Sequence, residues 1–180
     1  TFICKIKMLI LGVNFDKSMR CFGKMFIRKS KGSNIVIGKK FVCRNKTKYN
    51  CAGINHESVL VALDGGQIII KDNVGISGVT IVSYKKILIE KDVLIGVNTK
   101  IYDSDFHSII YEERKNRKEN VKTKEVVIGE GTFVGANVII LKGSKIGKYS
   151  VIGAGSVVSG EFKDKAVIVG NPARVIGYLD

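Results

Sequence analysis

Two carboxylates and an imidazole alternate at Asp103, Asp105 and His107, inside the stretch DSDFHSI that spans residues 103–109. A near-neutral imidazole suits the removal of a proton from a hydroxyl whose oxygen attacks a carbonyl carbon. A neighbouring carboxylate would fix the ring's tautomer and stabilise the imidazolium. Asp103 and Asp105 are equal candidates for that part, and either can instead close a turn. His56, in the run NHES, has no comparable neighbourhood and is at most a contact at the acceptor end of a cleft. No metal is expected: a catalytic zinc takes three protein ligands, commonly histidines, and the chain has two histidines. Cys4, Cys21, Cys43 and Cys51 are spaced by 17, 22 and 8 positions, so no CxxC pair exists for zinc or redox work. They read as reduced, structural cysteines of a cytoplasmic protein.

The elements that must position these groups announce themselves as a repeat. Aliphatic residues recur every six positions at Ile128, Val134, Ile140, Ile146, Ile152 and Val158, usually with glycine next, as at Gly129, Gly135, Gly147 and Gly153. Four places after each aliphatic comes a small or β-branched residue: Thr132, Val138, Ser144, Ser150 and Ser156. A helix needs spacings of three and four, and a hairpin sheet needs alternation with turn pairs. A period of six fits neither, and predicts short flat strands wound into a coil whose aliphatics fill the interior. The same phase runs through Ile89, Ile95 and Ile101, with Val93 and Thr99 at the small position, and more raggedly through Ile70, Val74 and Ile76. Ile37, Gly38 and Phe41 form an isolated hexad. The expected division of this single domain is therefore irregular coils or a cap over 1–67, regular coils over 68–107 and 127–160, and a tail over 161–180.

Continuing from Ile101, the small position falls on Asp105 and the aliphatic position on His107, and both break the pattern. Such inconsistencies concentrate at functional sites. The next regular hexad opens 21 positions after His107, at Ile128, which is not a multiple of six, so residues 108–126 must leave the coil. That segment carries Glu112, Glu113, Arg114, Lys115, Arg117, Lys118, Glu119, Lys122 and Lys124 and reads as a projecting loop that helps to form or cover the site.

The 180 residues suit one domain, and 45% hydrophobic against 26% charged residues is globular; twenty glycines against one proline suggest many turns. Thirty Lys and Arg against sixteen Asp and Glu leave a net charge of +14, which favours anionic partners, an acidic membrane surface among them. Lysines occur along the whole chain and no nucleic-acid-binding motif is visible, so nucleic acid is not expected. The apolar start from Phe2 to Val13 is interrupted by Lys5 and Lys7, is too short to span a bilayer, lacks a signal-peptide cleavage site, and reads as a first strand or cap. The chain opens at Thr1 rather than Met, which leaves room for a preceding segment.

The run IGEGTFVGANVIILKG over 128–143, followed by IGKYSVIGAGSVVSG and VIVGNPARVIG, is similar to the C-terminal half of the bacterial hexapeptide-repeat O-acetyltransferases. DSDFHSI resembles the D-x-D-x-H of members that act on surface polysaccharides and other sugars, and the likeness extends over about 68–177. The resemblance implies an all-β fold, a left-handed parallel β-helix shaped as a triangular prism. It implies a homotrimer with sites between subunits, acetyl-CoA as co-substrate, and a sugar or polysaccharide acceptor, for which the charge allows an anionic one. His107 would be the general base, with transfer direct in a ternary complex. Backbone groups at Ala136, Ala154 and Ser159, together with Arg174 in GNPAR, would hold the coenzyme, the guanidinium at its phosphates. Phe133 stands where many relatives have Trp and would wall the acceptor or thioester, with His56 beyond it; this chain has no Trp. Ser159 and Gly160 stand where many relatives have Thr-Lys, so a basic contact is missing that Lys163 or Lys142 would have to replace.

Three rival readings compete with this one. A zinc carbonic anhydrase on the same coil fails on its ligand count. An N-acetyltransferase of nucleotide-linked amino sugars differs only in the acceptor atom. A non-catalytic scaffold binding acidic polysaccharide leaves the break at Asp105 and His107 unexplained. The expected location is the cytoplasm, with peripheral contact at the inner membrane as an extension.

Overall fold

The computed structural model describes residues 2–116 and 120–180; Thr1, and Arg117, Lys118 and Glu119 of the charged loop, lie outside the described residues. The chain winds as a left-handed β-helix of three sheets. The first face carries Asn14–Phe15, Asn34–Ile37, Gln67–Ile70, Lys86–Ile89, Val126–Ile128, Lys145–Ile146 and Glu161–Phe162. The second carries Arg20–Phe22, Val42–Arg44, Gly75–Ser77, Leu94–Ile95, Phe133–Val134, Val151–Ile152 and Ala166–Gly170, and is closed by Ala173–Tyr178. The third carries Phe26–Lys29, Val59–Ala62, Thr80–Ser83, Lys100–Tyr102, Ile139–Ile140 and Val157–Val158. Among the described residues all pairings between these strands are parallel except the last, where Ala166–Gly170 meets Ala173–Tyr178 antiparallel.

The side-chain pattern explains the winding. Ile128, Val134, Ile140, Ile146, Ile152 and Val158 are all buried, and so are the small residues two places before them, Thr132, Val138, Ser144, Ser150 and Ser156. The inward positions are thus filled by aliphatics and small residues in these coils, while Phe41 is fully buried in an earlier one. The inward hydroxyls do not go unpaired: Ser144 donates to Leu141 and Val158 carbonyls, and Ser156 to Gly153. Glycine is required where coils nearly touch: a Cβ on Gly147 would lie 2.3 Å from the backbone of Lys163 and Asp164, and one on Gly135 would lie 2.6 Å from Ala154 N.

Regular coils begin at Asn14, well before the stretch from 68 where the sequence looks regular. Val13, Met19 and Met25, with Cys21 and Ile27 two places on, hold the same six-residue phase in the first coil and are buried. Two excursions interrupt the stack, one after Val42–Arg44 and one after Lys100–Tyr102. Before the first coil, Phe2–Ile10 is an α-helix rather than a strand. The reason is geometric: the open end of the prism needs a plug, and helical spacing brings Cys4, Met8 and Leu11 to one stripe that packs on the core. No helix among the described residues is long and apolar enough to cross a membrane.

Candidate active site

The chain leaves the third face at Asp103, which is fully buried and spends both carboxylate oxygens on the neighbouring turn. Oδ1 accepts the Tyr84 N–H at 2.8 Å; Oδ2 accepts the Ser83 hydroxyl at 2.6 Å and the Lys85 N–H at 2.9 Å. The Asp103 carbonyl then accepts Lys124 N–H, and Asp105 N–H donates to Lys122, so the two ends of the excursion run together before it opens. Asp103 therefore does the turn-closing job that the sequence left open for one of the two aspartates. Asp105, half-buried, forms an ion pair with Lys142 of the next coil at 2.9 Å. That pair engages Lys142, one of the two lysines suggested for the missing coenzyme contact.

Phe106 follows with φ 63°, the left-handed region, which costs an aromatic residue about 1–3 kcal/mol and persists where surroundings impose it. Those surroundings are Tyr102 and Tyr84, whose rings meet Phe106 edge to face at centroid distances of 5.0 and 6.0 Å. Burial raises the Tyr102 phenol above its ordinary pKa. The reversal at Phe106 sends His107 outward, and His107 is exposed rather than filling the inward position its phase suggests. The residue after it is fixed by the short helix Tyr111–Lys115: the Ser108 hydroxyl bonds to the Glu113 carboxylate, and Arg114 donates to the Ser108 carbonyl at 2.7 Å. Part of the charged loop thus clamps the backbone that carries His107. Beside it, Asp64, Tyr84, Ser104, Phe106, Asn120 and Thr123 line a cleft of about 400 Å³. Sequence reading missed Phe106, Tyr84 and Tyr102, because only the backbone reversal reveals what they support.

The remaining predicted residues do not converge on His107 within one chain. Ser159 lies on the same corner of the prism, two coils on, following Val157–Val158 of the third face. Ala136 and Ala154 stack on the opposite edge of that face, where Gly155 N–H donates to the Ala136 carbonyl at 2.9 Å. Arg174 extends that edge: it pairs with Val169 in the terminal hairpin, Val169 abuts Gly153, and one guanidinium nitrogen donates to the Ala173 carbonyl. His56 lies at the same edge several coils earlier, in the first excursion, which Asn98 holds by accepting Asn55 N–H and donating to the Gly53 carbonyl. The His56 Nδ1 is 2.9 Å from the Glu57 carbonyl, which can only accept, so Nδ1 carries the proton. Phe133 is 45% exposed on the second face, between Leu94 and Val151. No group of three or more His, Cys, Asp or Glu among the described residues is arranged to hold a metal ion.

Fold and repeat agree with a family match: residues 125–160 match the bacterial transferase hexapeptide (six repeats). The chain resembles the bacterial hexapeptide-repeat O-acetyltransferases. Saccharomyces cerevisiae YJL218W, an acetyltransferase by assignment, is 35% identical over 145 residues, 81% of this chain and 56% of that protein. Galactoside O-acetyltransferase of Lactococcus lactis is 38% identical over 96 residues, 53% of this chain and 45% of that enzyme. The chain thus spans about half the length of these curated relatives. AntD, an N-acyltransferase from Bacillus cereus solved with dTDP and 3-hydroxybutyryl-CoA, shares the fold with a TM-score of 0.75 over 98% of this chain and 88% of that one, at 19% identity.

Proposed function

We propose that this chain transfers an acetyl group from acetyl-CoA to a hydroxyl of a sugar or bacterial polysaccharide, with His107 as general base and no covalent acyl-enzyme. The observation that carries this reading is the strained, clamped reversal at Phe106, which presents an imidazole to solvent at the second of the two excursions from the coil. His107 would take the hydroxyl proton as the oxygen attacks the thioester carbonyl, and corner N–H groups would receive the developing oxyanion. Asp105, two residues away, is the better candidate for the supporting carboxylate, because Asp103 is committed to residues 83–85.

The rail of Ala136 and Ala154 fits a coenzyme arm: the side chains are small, and the exposed Arg174 at its far end matches phosphate. Rail and imidazole occupy opposite edges of the third face, so one chain cannot close the site. A cyclic homotrimer that sets one edge against the opposite edge of the next copy would complete it, since a heterologous contact of this kind closes into a ring. Phe133 and His56 are then acceptor-side contacts. Acetyl-CoA use and reduced cysteines go with a cytoplasmic location.

Turnover of acetyl-CoA against a panel of hydroxyl and amino sugars tests this. His107→Ala should keep the melting temperature and lower turnover by about two to four orders of magnitude, the usual share of general-base catalysis. Near-normal turnover would remove His107 from the mechanism. The shared fold with AntD favours a second reading, an amine acceptor on a nucleotide-linked sugar; hydroxylamine cleaves an ester product and spares an amide. Absence of any coenzyme-induced thermal stabilisation, which should reach about 2.7 kcal/mol at a hundredfold excess over Kd, would support the scaffold instead.

A further inference from the structure

The net charge is not distributed as the lysines are. Residues 2–56 hold thirteen Lys and Arg against a single acid, Asp16, while the rest of the chain holds seventeen against fifteen. Nearly all of the +14 therefore sits at the end of the prism that the helix Phe2–Ile10 covers.

That helix is apolar on both sides. At about 100° per residue, Cys4 and Met8, with Leu11 just beyond the helix, face the core, while Phe2, Ile3, Ile6, Leu9 and Ile10 form a stripe roughly 120° wide on the opposite side. The stripe is exposed, from 42% at Ile6 to 79% at Ile10. A helix apolar all round is normally buried, and contiguous apolar surface of this kind marks a contact. Lys5 and Lys7 fall on the two borders of the stripe. The Lys5 ammonium donates to the Lys17 carbonyl at 2.7 Å, and that of Lys7 lies 5.2 Å from the Phe26 ring centroid. Lys24 and Lys46 share a groove with Phe2 and Ile3, and the Lys29 ammonium donates to the Gly12 carbonyl.

We infer that this end of the molecule docks on an anionic lipid bilayer, the apolar stripe lying in the headgroup boundary and the surrounding lysines meeting the phosphates. Nine residues make about 13 Å of helix, far short of the roughly 30 Å of hydrocarbon, so the element lies on the bilayer instead of crossing it. An apolar stripe bordered by lysines is the pattern of interfacial helices, whose binding adds buried apolar area to attraction for acidic headgroups. The charge asymmetry selects an anionic surface over a second copy of the chain, whose own end would repel it. The inference stands apart from the acyl-transfer reading and uses none of its residues.

Co-sedimentation of the whole chain with phosphatidylcholine vesicles, with and without about one-third phosphatidylglycerol, tests it at low salt and at roughly 0.5 M salt. The chain should pellet with the anionic vesicles, stay in solution with the neutral ones, and bind less at high salt. Lys24→Gln with Lys46→Gln should weaken the partition about 25-fold, near fivefold for each lysine. Ile3→Ser with Ile10→Ser, which leaves the core side of the helix untouched, should weaken it by roughly tenfold or more with the melting temperature preserved. Lys148→Gln at the far end should change nothing. Equal pelleting with neutral vesicles, none with anionic vesicles at low salt, or indifference to either paired variant would overturn the inference. So would a concentration-dependent dimer abolished by the serine pair without vesicle binding, which would assign the stripe to another copy.

Discussion

Replacing Asp103 by Ala separates a residue that holds the site together from one that takes part in chemistry. The carboxylate accepts three hydrogen bonds, from Tyr84 N–H, Ser83 hydroxyl and Lys85 N–H. The serine hydroxyl would retain the Gln67 carbonyl as acceptor, at 3.0 Å, so its loss is small. Lys85 is exposed and its N–H can turn to water, whereas Tyr84 is half-buried and its N–H would be stranded. Orphaned donors cost about 1–3 kcal/mol each, so the loss should come to about 3 kcal/mol, weighted toward Tyr84. For a chain of this size that is a fall of roughly 6–12 °C in melting temperature. Asp103→Asn should recover only part of it, because one side-chain position becomes a donor facing donors. Melting followed by circular dichroism, with acetyl-transfer rates normalised to folded protein, gives both readouts. A variant that melts like the parent but turns over a hundredfold more slowly would refute the assignment and return Asp103 to the chemistry.

Two further outcomes follow from the same structure. Glu130 is held below its usual pKa by its hydrogen bonds to Lys91 and Tyr149 and by the Lys91 charge, so its contribution is present above the unfolded value of about 4.5 and is lost as pH falls through the lowered folded one. Glu130→Gln should therefore lower the melting temperature at pH 7 and converge with the parent as the carboxylate is protonated in acid; a difference that persists once it is fully protonated would contradict this. Cys4 is pushed well above the usual thiol range by its hydrogen bond to Cys21 and by burial, and Cys21 and Cys43 are buried too, while Cys51 is exposed. Iodoacetamide on the native chain should label Cys51, detected by peptide mass, with the other three reacting only after unfolding; early labelling of Cys4 would show that the helix lifts from the core.

The C-terminal coils were legible because nothing interrupts their phase: Ile128 and Ile146 are eighteen positions apart and stand directly above one another. The earlier coils were hidden by arithmetic. Ile35 pairs with Ile68, thirty-three positions on, because the first excursion inserts a length that is no multiple of six. The first coil was hidden by residue type, since Met19, Cys21 and Met25 fill places that later coils give to aliphatics and small residues. At the site, the break at Asp105 and His107 was visible, but not that the chain had already left the coil at Asp103. The helix at Phe2–Ile10 was read as a strand or cap, although the spacing of Cys4, Met8 and Leu11 is helical. The clustering of charge was in the sequence as well, and gained meaning only once the prism gave it an end.

The hairpin that finishes the second face also governs how copies can grow on one another. A column of parallel coils offers its last rung as a template for more of the same, the arrangement from which fibres are made. Here the final strand, Ala173–Tyr178, runs backwards, so that rim offers the wrong polarity for another coil. The other two faces stop at two-residue strands, one of them headed by Glu161, and the opposite rim lies under the helix. Lengthwise polymerisation is thereby blocked at both tips, leaving the long flanks as the surfaces through which subunits can meet.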